Sequence, residues 1–133
     1  MQLDHPKHPD HTMFEQARAG VHRLDAEVGR TPDQRSDQLA AALVVAAKAN
    51  GMSRIDHAVL STDASKVFAV EGALDSALKR IAAVPTVEAL NTLITQSTQS
   101  WEQAIERMQQ PAQERVLERQ HTATQRQGPV MSL

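Results

Sequence analysis

The stretch SRIDHAVLSTDASKVFAVEGAL, residues Ser53–Leu74, decides the fold predicted for this chain. Its first part, Arg54 to Ser61, places Ile55, His57 and Val59 on one side of an extended chain and Asp56, Ala58 and Leu60 on the other. A second short β-prone run extends from Lys66 to Glu71, and small polar turn residues separate the two runs. This arrangement predicts an antiparallel β-hairpin. Because a lone hairpin is marginal in water, it must pack on a helix or gain a third strand.

Two helices are predicted before the hairpin. In the first, Thr12 and Glu15 fit a capping box, and Gly29 is a suitable stop. The second repeats this pattern, with the residues Thr31 as cap, Pro32 at the first position, Gln34 completing the box and Asn50-Gly51 at the end. Its middle, Leu39 to Ala47, is apolar on nearly every side, so we expect this helix to form the buried centre of the fold.

After the hairpin, the sequence predicts two further helices. Asp75 can cap a short one from Ser76 to Ala83, which the Val84-Pro85 step should end. A longer helix fits from Thr86 to the stop at Pro111, with one stripe formed by Leu90, Leu93, Ile94, Ser97, Trp101, Ile105 and Met108. On this stripe Trp101 is either a core residue or an interface anchor.

The last 25 residues change in composition. They hold few apolar anchors and many glutamines, namely Gln109, Gln110, Gln113, Gln120, Gln125 and Gln127. Such a segment is too polar to stabilise its own order, which favours a disordered tail. The predicted fold is therefore α+β: a small, mainly helical domain, residues 1–109, with a short antiparallel hairpin or three-stranded sheet packed on helices, followed by a glutamine-rich flexible tail, residues 110–133.

Composition narrows the function classes. The chain of 133 residues has 41% hydrophobic and 23% charged residues and a formal charge of -2, with both signs evenly spread. This balance gives no electrostatic footprint for nucleic acid. Without cysteine there is no thiolate metal site and no cysteine nucleophile. The sequence contains no apolar run of 18 residues and no apolar leader near Met1, so we expect neither membrane insertion nor the general secretory route.

Histidine supplies the two candidate chemical sites. His5, His8 and His11 have a metal-like spacing of three, but Pro6 and Pro9 interrupt the helix that would align their rings. The pair Asp56-His57 suggests a base, yet neighbours in a strand face opposite sides and cannot orient each other. No motif for nucleotide binding, hydrolysis or zinc catalysis occurs. We therefore predict no enzyme, no metal and no cofactor.

The order of several motifs resembles one protein family. These are HPDH at His8–His11, MFEQ at Met13–Gln16, VHRLD at Val21–Asp25, GR, RIDHAVLS at Arg54–Ser61 and VFAVEGALD at Val67–Asp75. In this order they resemble XVIPCD, the C-terminal domain of effectors exported by the bacteria-killing type IV secretion system of xanthomonads. The similarity covers residues 4 to about 100. Glu71 stands where the family usually has glutamine.

The resemblance implies a delivery label. Such domains are bound in the producing cell by the type IV coupling protein, through its cytoplasmic helical domain, and carry a toxin fused at the N-terminal side into target bacteria. The expected location is thus the cytoplasm, then the inner-membrane secretion machinery, then secretion. For partner binding we single out His8, Pro9, Phe68, Val70 and Glu71, and for export the glutamines of the tail. The alternatives are an adaptor or immunity-type protein that binds a toxin in the same cell and, less favoured, a small hydrolase using His57.

Overall fold

The structure is a computed structural model, and it describes residues 1–109. The order of elements is α1 (His11–Glu27), α2 (Gln34–Ala49), β1 (His57–Leu60), β2 (Lys66–Glu71), β3 (Arg80–Pro85), α3 (Thr86–Leu90) and α4 (Ile94–Gln109). The three strands form one antiparallel sheet in the order β1-β2-β3. This confirms the predicted α+β class and shows that the hairpin does gain a third strand.

The core lies between the sheet and the helices. Helix α2 is the central element, because it contacts α1, α4 and both β2 and β3. Its apolar middle is buried as expected, with Ala40, Ala41, Leu43, Val44 and Ala47 fully inaccessible. The largest buried apolar side chains around it are Phe14, Leu3, Met52, Val21 and Val67. Gly20 lets α1 approach β1, since a Cβ there would lie only 2.8 Å from the Cβ of Ala58.

The helix starts differ from the predicted ones. Helix α1 begins one residue before Thr12, at His11, and its N-cap residue Asp10 makes no side-chain cap hydrogen bond. Helix α2 is capped by Asp33, two residues after Thr31, because Asp33 Oδ1 accepts the Ser36 N–H while Ser36 Oγ accepts the Asp33 N–H. The capping boxes predicted at both threonines are therefore wrong, although the two helices themselves are present.

The segment after the hairpin is the main correction. The predicted helix from Ser76 to Ala83 is not formed; Arg80–Pro85 is instead β3, paired along β2. Pairing with a neighbouring strand overrides the local helical preference of this alanine-rich run. The long helix predicted from Thr86 is also interrupted, because α3 ends at Leu90 and α4 starts at Ile94. The side chain of Asn91 bonds back to the Val87 carbonyl at this break.

The β1–β2 connection is closed by polar contacts. Asp63 Oδ1 accepts hydrogen bonds from Ser61 Oγ, Ser65 Oγ and the Ser65 backbone N–H at 2.7–3.1 Å. These bonds, led by the one from the Ser65 hydroxyl, lower the pKa of Asp63 to about 2. Ala64 completes the turn in the left-handed region, with φ 64°.

Candidate recognition surface

The side of the sheet that faces away from the helices is mostly apolar. The strand register aligns His57 with Val70 and Ile81 in one row, Val59 with Phe68 and Ala83 in the next, and Lys66 with Pro85 in a third. These eight residues are the outer sheet face. Their neighbours along the strands, such as Val67, Ala69 and Val84, point the other way into the core. The face therefore carries six apolar side chains, one histidine and, at its end, one lysine.

Much of the outer sheet face is accessible. Ile81 is 47% exposed and Ala83 is exposed, while Val59 and Phe68 are half-buried. Leu74 and Leu78, in the loop between β2 and β3, are also exposed, the latter by 91%. Apolar side chains grouped in this way on a small domain are typical of an interaction site.

Phe68 and Val70 both lie on this face, in the central strand. Val70 is only 2% exposed, because it stands between His57 and Ile81 on the neighbouring strands. Phe68 is the larger and more accessible of the two. The geometry makes Phe68 available for contact and places Val70 beside it as a buried neighbour on the same face.

Glu71, at the end of β2, holds the loop that enters β1. Its Oε2 accepts from the Ser53 N–H at 2.6 Å and from the Arg54 N–H at 3.1 Å. The bond from the Ser53 backbone, followed by that from Arg54, lowers the pKa of this carboxyl. A glutamine at this position could accept the same two bonds through its side-chain oxygen. Glu71 thus has a structural role beside any role in binding.

His8 lies elsewhere, under α4. It is 5% exposed and packs edge-on against the Trp101 ring, with 4.3 Å between centroids. Its Nδ1 accepts the Asp10 N–H at 3.0 Å, which fixes the neutral Nε2–H tautomer. Burial is the main cause of its lowered pKa, with the neighbouring charge of Asp10 acting in the opposite direction. Pro9, next to it, is exposed.

Asp10 joins His8 and Trp101 in a cluster that also includes Lys48. We call these four residues the N-terminal clamp. The Trp101 Nε1–H donates to Asp10 Oδ2 at 2.6 Å, and the Lys48 ammonium lies 3.2 Å from the same oxygen. The clamp joins the N-terminal segment to α2 and α4. Since α2 separates α4 from the sheet, the structure places His8 and Pro9 on the opposite side of α2 from Phe68 and Val70.

Sequence reasoning missed two buried polar links, although both lie within the quoted motifs. Gln16 Oε1 accepts the Ile55 N–H at 2.9 Å and so ties α1 to the entry of β1. Asp25, only 6% exposed, accepts the Ser36 hydroxyl at 2.6 Å and pairs with Arg30 at 3.1 Å. The available signal was a polar residue directly next to an apolar position of the helix stripe, as in Leu24-Asp25.

Most of the glutamines predicted to act in export lie beyond α4. Gln109 is the last residue of α4, and Gln110, Gln113, Gln120, Gln125 and Gln127 lie outside the described residues.

Within residues 1–109 there is no group of three or more histidine, cysteine or acidic side chains arranged to hold a metal ion. His5 and His8 instead accept backbone N–H groups two residues ahead, and successive turns join the three histidines, since the His8 N–H donates to the His5 carbonyl and the His11 N–H to the His8 carbonyl. No helix in the described part of the chain is long and apolar enough to cross a membrane.

The chain matches one known protein family. No curated protein matches the chain. The family model described as X-Tfes, XVIPCD matches residues 4–103, which include every element except the end of α4. This is a family of secretion-signal domains of type IV effectors and not a catalytic family. Because the match covers most of the 133 residues, the chain belongs to the XVIPCD family.

Proposed function

We propose that the outer sheet face is recognised by the cytoplasmic helical domain of the type IV coupling protein. Recognition would take place in the cytoplasm of the producing cell and bring the domain to the secretion machinery at the inner membrane. A toxin joined to its N-terminal side would then be carried into rival bacteria. The family's secretion-signal role supports the direction of this proposal, and the surface described above supports the site.

One structural observation supports the outer sheet face as the binding site. Most family motifs are engaged inside the domain, since His8 packs under Trp101, Asp25 pairs with Arg30, and Gln16 bonds to the β1 entry. The outer sheet face, by contrast, keeps accessible apolar side chains that the described helices do not cover. A flat apolar sheet face is a surface on which a helix packs readily as a further layer.

The predicted residues take different parts in this proposal. Phe68 acts as the apolar anchor, and the buried Val70 supports the same face beside it. Glu71 contributes at the edge, because its Oε2 serves the loop while Oε1 has no hydrogen-bond partner among the described residues. His8 supports α4 from within the clamp, whereas exposed Pro9 can touch a partner only on the far side of α2. The tail glutamines would form the leading segment for export.

The test is a calorimetric titration of the full chain against the helical domain of the coupling protein. We expect saturable one-to-one binding that Phe68→Ser weakens at least about tenfold, as for a central apolar anchor. Val87→Ser is the matched control, because Val87 is 70% exposed but lies on α3, off the sheet face. An equal effect of both substitutions would contradict the site. No binding by the folded wild-type chain would contradict the function and favour the adaptor alternative.

Glu71 needs its own substitution. Glu71→Arg would remove the acceptor of two backbone N–H groups, so weaker binding could follow from a displaced loop. Glu71→Gln keeps an acceptor and removes only the charge. If the charge takes part in recognition, Glu71→Gln weakens binding while the amide signals of Ser53 and Arg54 stay in place. Unchanged affinity would remove Glu71 from the surface.

A further inference from the structure

The N-terminal segment, residues 1–10, is held against α4 mainly by side-chain contacts. It contains turns and no helix or strand. Leu3 is fully buried in the core cluster, and its N–H donates to Thr98 Oγ1 at 3.2 Å. The Gln2 side-chain amide donates to Thr95 Oγ1 at 2.8 Å. Without a strand or helix ladder to hold it, the segment stays in place only as long as these contacts and the N-terminal clamp are intact.

One hydrogen bond of the N-terminal clamp requires a neutral histidine. The Asp10 N–H donates to His8 Nδ1 at 3.0 Å, and this bond positions the residue whose carboxylate holds Trp101 and Lys48. An imidazole nitrogen can accept a hydrogen bond only while it carries no proton, and in the charged ring both nitrogens carry one. The position of Asp10 therefore depends on the protonation state of His8.

Protonation of His8 would put two donors face to face. The new Nδ1–H would point at the Asp10 N–H across the same 3.0 Å, so the bond would become a repulsion. The ring is only 5% exposed, and a buried charge without a partner is costly. The carboxylate of Asp10 is already engaged by Trp101 and Lys48. A charged His8 is therefore relieved by turning out to water, which carries Asp10 away from α4.

The charges around His8 act in both directions, and burial decides the result. Burial is the largest cause of the lowered pKa of His8. Asp10 and, from α4, Glu102 favour its protonation, whereas the N-terminal amino group and His11 oppose it. From α2, the Lys48 ammonium pairs with Asp10 and offsets its charge. Once the ring is in water, burial no longer opposes the proton, so acid favours the released form.

We propose that the N-terminal clamp opens in mild acid: protonation of His8 releases the N-terminal segment from α4 while the rest of the domain stays folded. Release uncovers the Trp101 ring and the place that Leu3 occupies in the core. The clamp thus gives the domain a pH-dependent conformational change at one end. This goes beyond the proposed function, because the clamp lies across α2 from the outer sheet face and opens without a partner.

Hydrogen exchange of the Trp101 indole N–H measures this opening on the full ¹⁵N-labelled chain. Its protection is the exchange rate of free N-acetyltryptophanamide divided by the observed rate at the same pH, so the pH dependence of exchange itself cancels. With a pKa of about 6.5 for the released ring, going from pH 7.5 to pH 5 can raise the opening constant at most about 30-fold. We expect protection to fall about ten- to thirtyfold. Unchanged protection overturns the proposal.

Two asparagine substitutions separate His8 from a general effect of acid. His8→Asn keeps an acceptor for the Asp10 N–H but does not titrate, so protection of the Trp101 indole should be the same at both pH values. His5→Asn is the matched control, because His5 Nδ1 accepts the Lys7 N–H at 3.1 Å in the same kind of turn but is exposed. It should keep the full wild-type decrease. A decrease that persists in His8→Asn, or disappears in His5→Asn, overturns the proposal.

The amide of Val44 shows whether the opening is local. Val44 is fully buried in the middle of α2, so its exchange reports on unfolding of the whole domain. If the N-terminal clamp opens by itself, the Trp101 indole is less protected than Val44 by about tenfold or more at every pH. Equal protection at the two sites would mean that the clamp opens only when the domain unfolds, and this result would overturn the proposal.

Discussion

The two faces of the sheet have similar side chains but different surroundings. Inward-facing Val67, Ala69 and Val84 are almost completely covered by helices, whereas Phe68 and Ile81, on the outer sheet face, remain partly accessible. Alternation of polarity, the usual mark of a one-sided sheet, is absent from the VFAV run of β2. Apolar side chains therefore stabilise the core on the inner face, whereas those on the outer sheet face are available to bind a partner.

Substitutions at two adjacent residues of β2, one pointing to each face, should differ most in their effect on stability. Val67→Asp would bury an unpaired carboxylate in the core, and we expect a loss of about 3–5 kcal/mol in the free energy of unfolding, a large part of the stability of a domain of this size. Phe68→Asp points outward and should lose only about 1–2 kcal/mol. Urea denaturation followed by circular dichroism measures both. Similar losses would mean that the outer sheet face is covered in solution.

A second pair tests the same contrast by adding volume. Ala82 is 3% exposed and faces the core, so Ala82→Leu should overpack it and lower the free energy of unfolding by about 1–3 kcal/mol. Its neighbour Ala83 is exposed on the outer sheet face, and Ala83→Leu should change stability by less than about 0.5 kcal/mol. Thermal unfolding of the two variants gives the comparison. A larger loss for Ala83→Leu would contradict the assigned orientation of β3.

A pH titration extends the comparison from the sheet to the N-terminal clamp. Burial lowers the folded-state pKa of His8, so the unfolded chain binds the extra proton first as the pH falls. The contribution of neutral His8 is complete above its unfolded pKa, about 6.5, and is lost as the pH falls from there towards the folded pKa. In His8→Asn, an amide oxygen can replace Nδ1 as the acceptor for Asp10. We expect this variant to lose the stability change below pH 6.5, and an unchanged profile would exclude His8 as its source.

The turn of the hairpin should respond only in stronger acid. The pKa of Asp63 is about 2 in the folded state, against 3.8 for the unperturbed group, so its contribution is present above about 3.8 and is lost as the pH falls towards 2. Asp63→Asn should remove this dependence and leave the His8 range unchanged. Stability curves of the two variants between pH 2 and 8 would show two separate ranges. If both variants changed stability in the same pH range, the N-terminal clamp and the hairpin turn would not titrate independently.

Sequence reasoning predicted the elements whose periodicity is complete within one segment. Helices α1 and α2 and the hairpin were found, and Lys66 to Glu71 had the correct bounds. Strand β3 was missed because Asp75 and the following alanines resemble a helix start, and only its pairing with β2 makes it a strand. The stop at Asn91 was missed because it carries neither proline nor glycine.

For the candidate site residues, too, the sequence predicts what depends on local pattern and not what depends on distant contacts. Phe68 and Val70 could be placed on the sheet from the sequence, but not the direction in which they point, since both faces are apolar. The spacing of His5, His8 and His11 was visible, yet its cause is local turn geometry, and the burial of His8 depends on Trp101, which is 93 positions away. Contacts of that range leave no periodic signal in a single sequence.

The bond between Asp10 and Trp101 has a consequence for the order of folding. It joins positions 91 apart, so forming it closes a loop that spans most of the domain. Loop-closure entropy delays such contacts until local helices and the hairpin have shortened the effective distance. Trp101 is the chain's one tryptophan. Its fluorescence should therefore follow the last stage of folding, at which the two ends of the domain meet, while circular dichroism records the earlier helices.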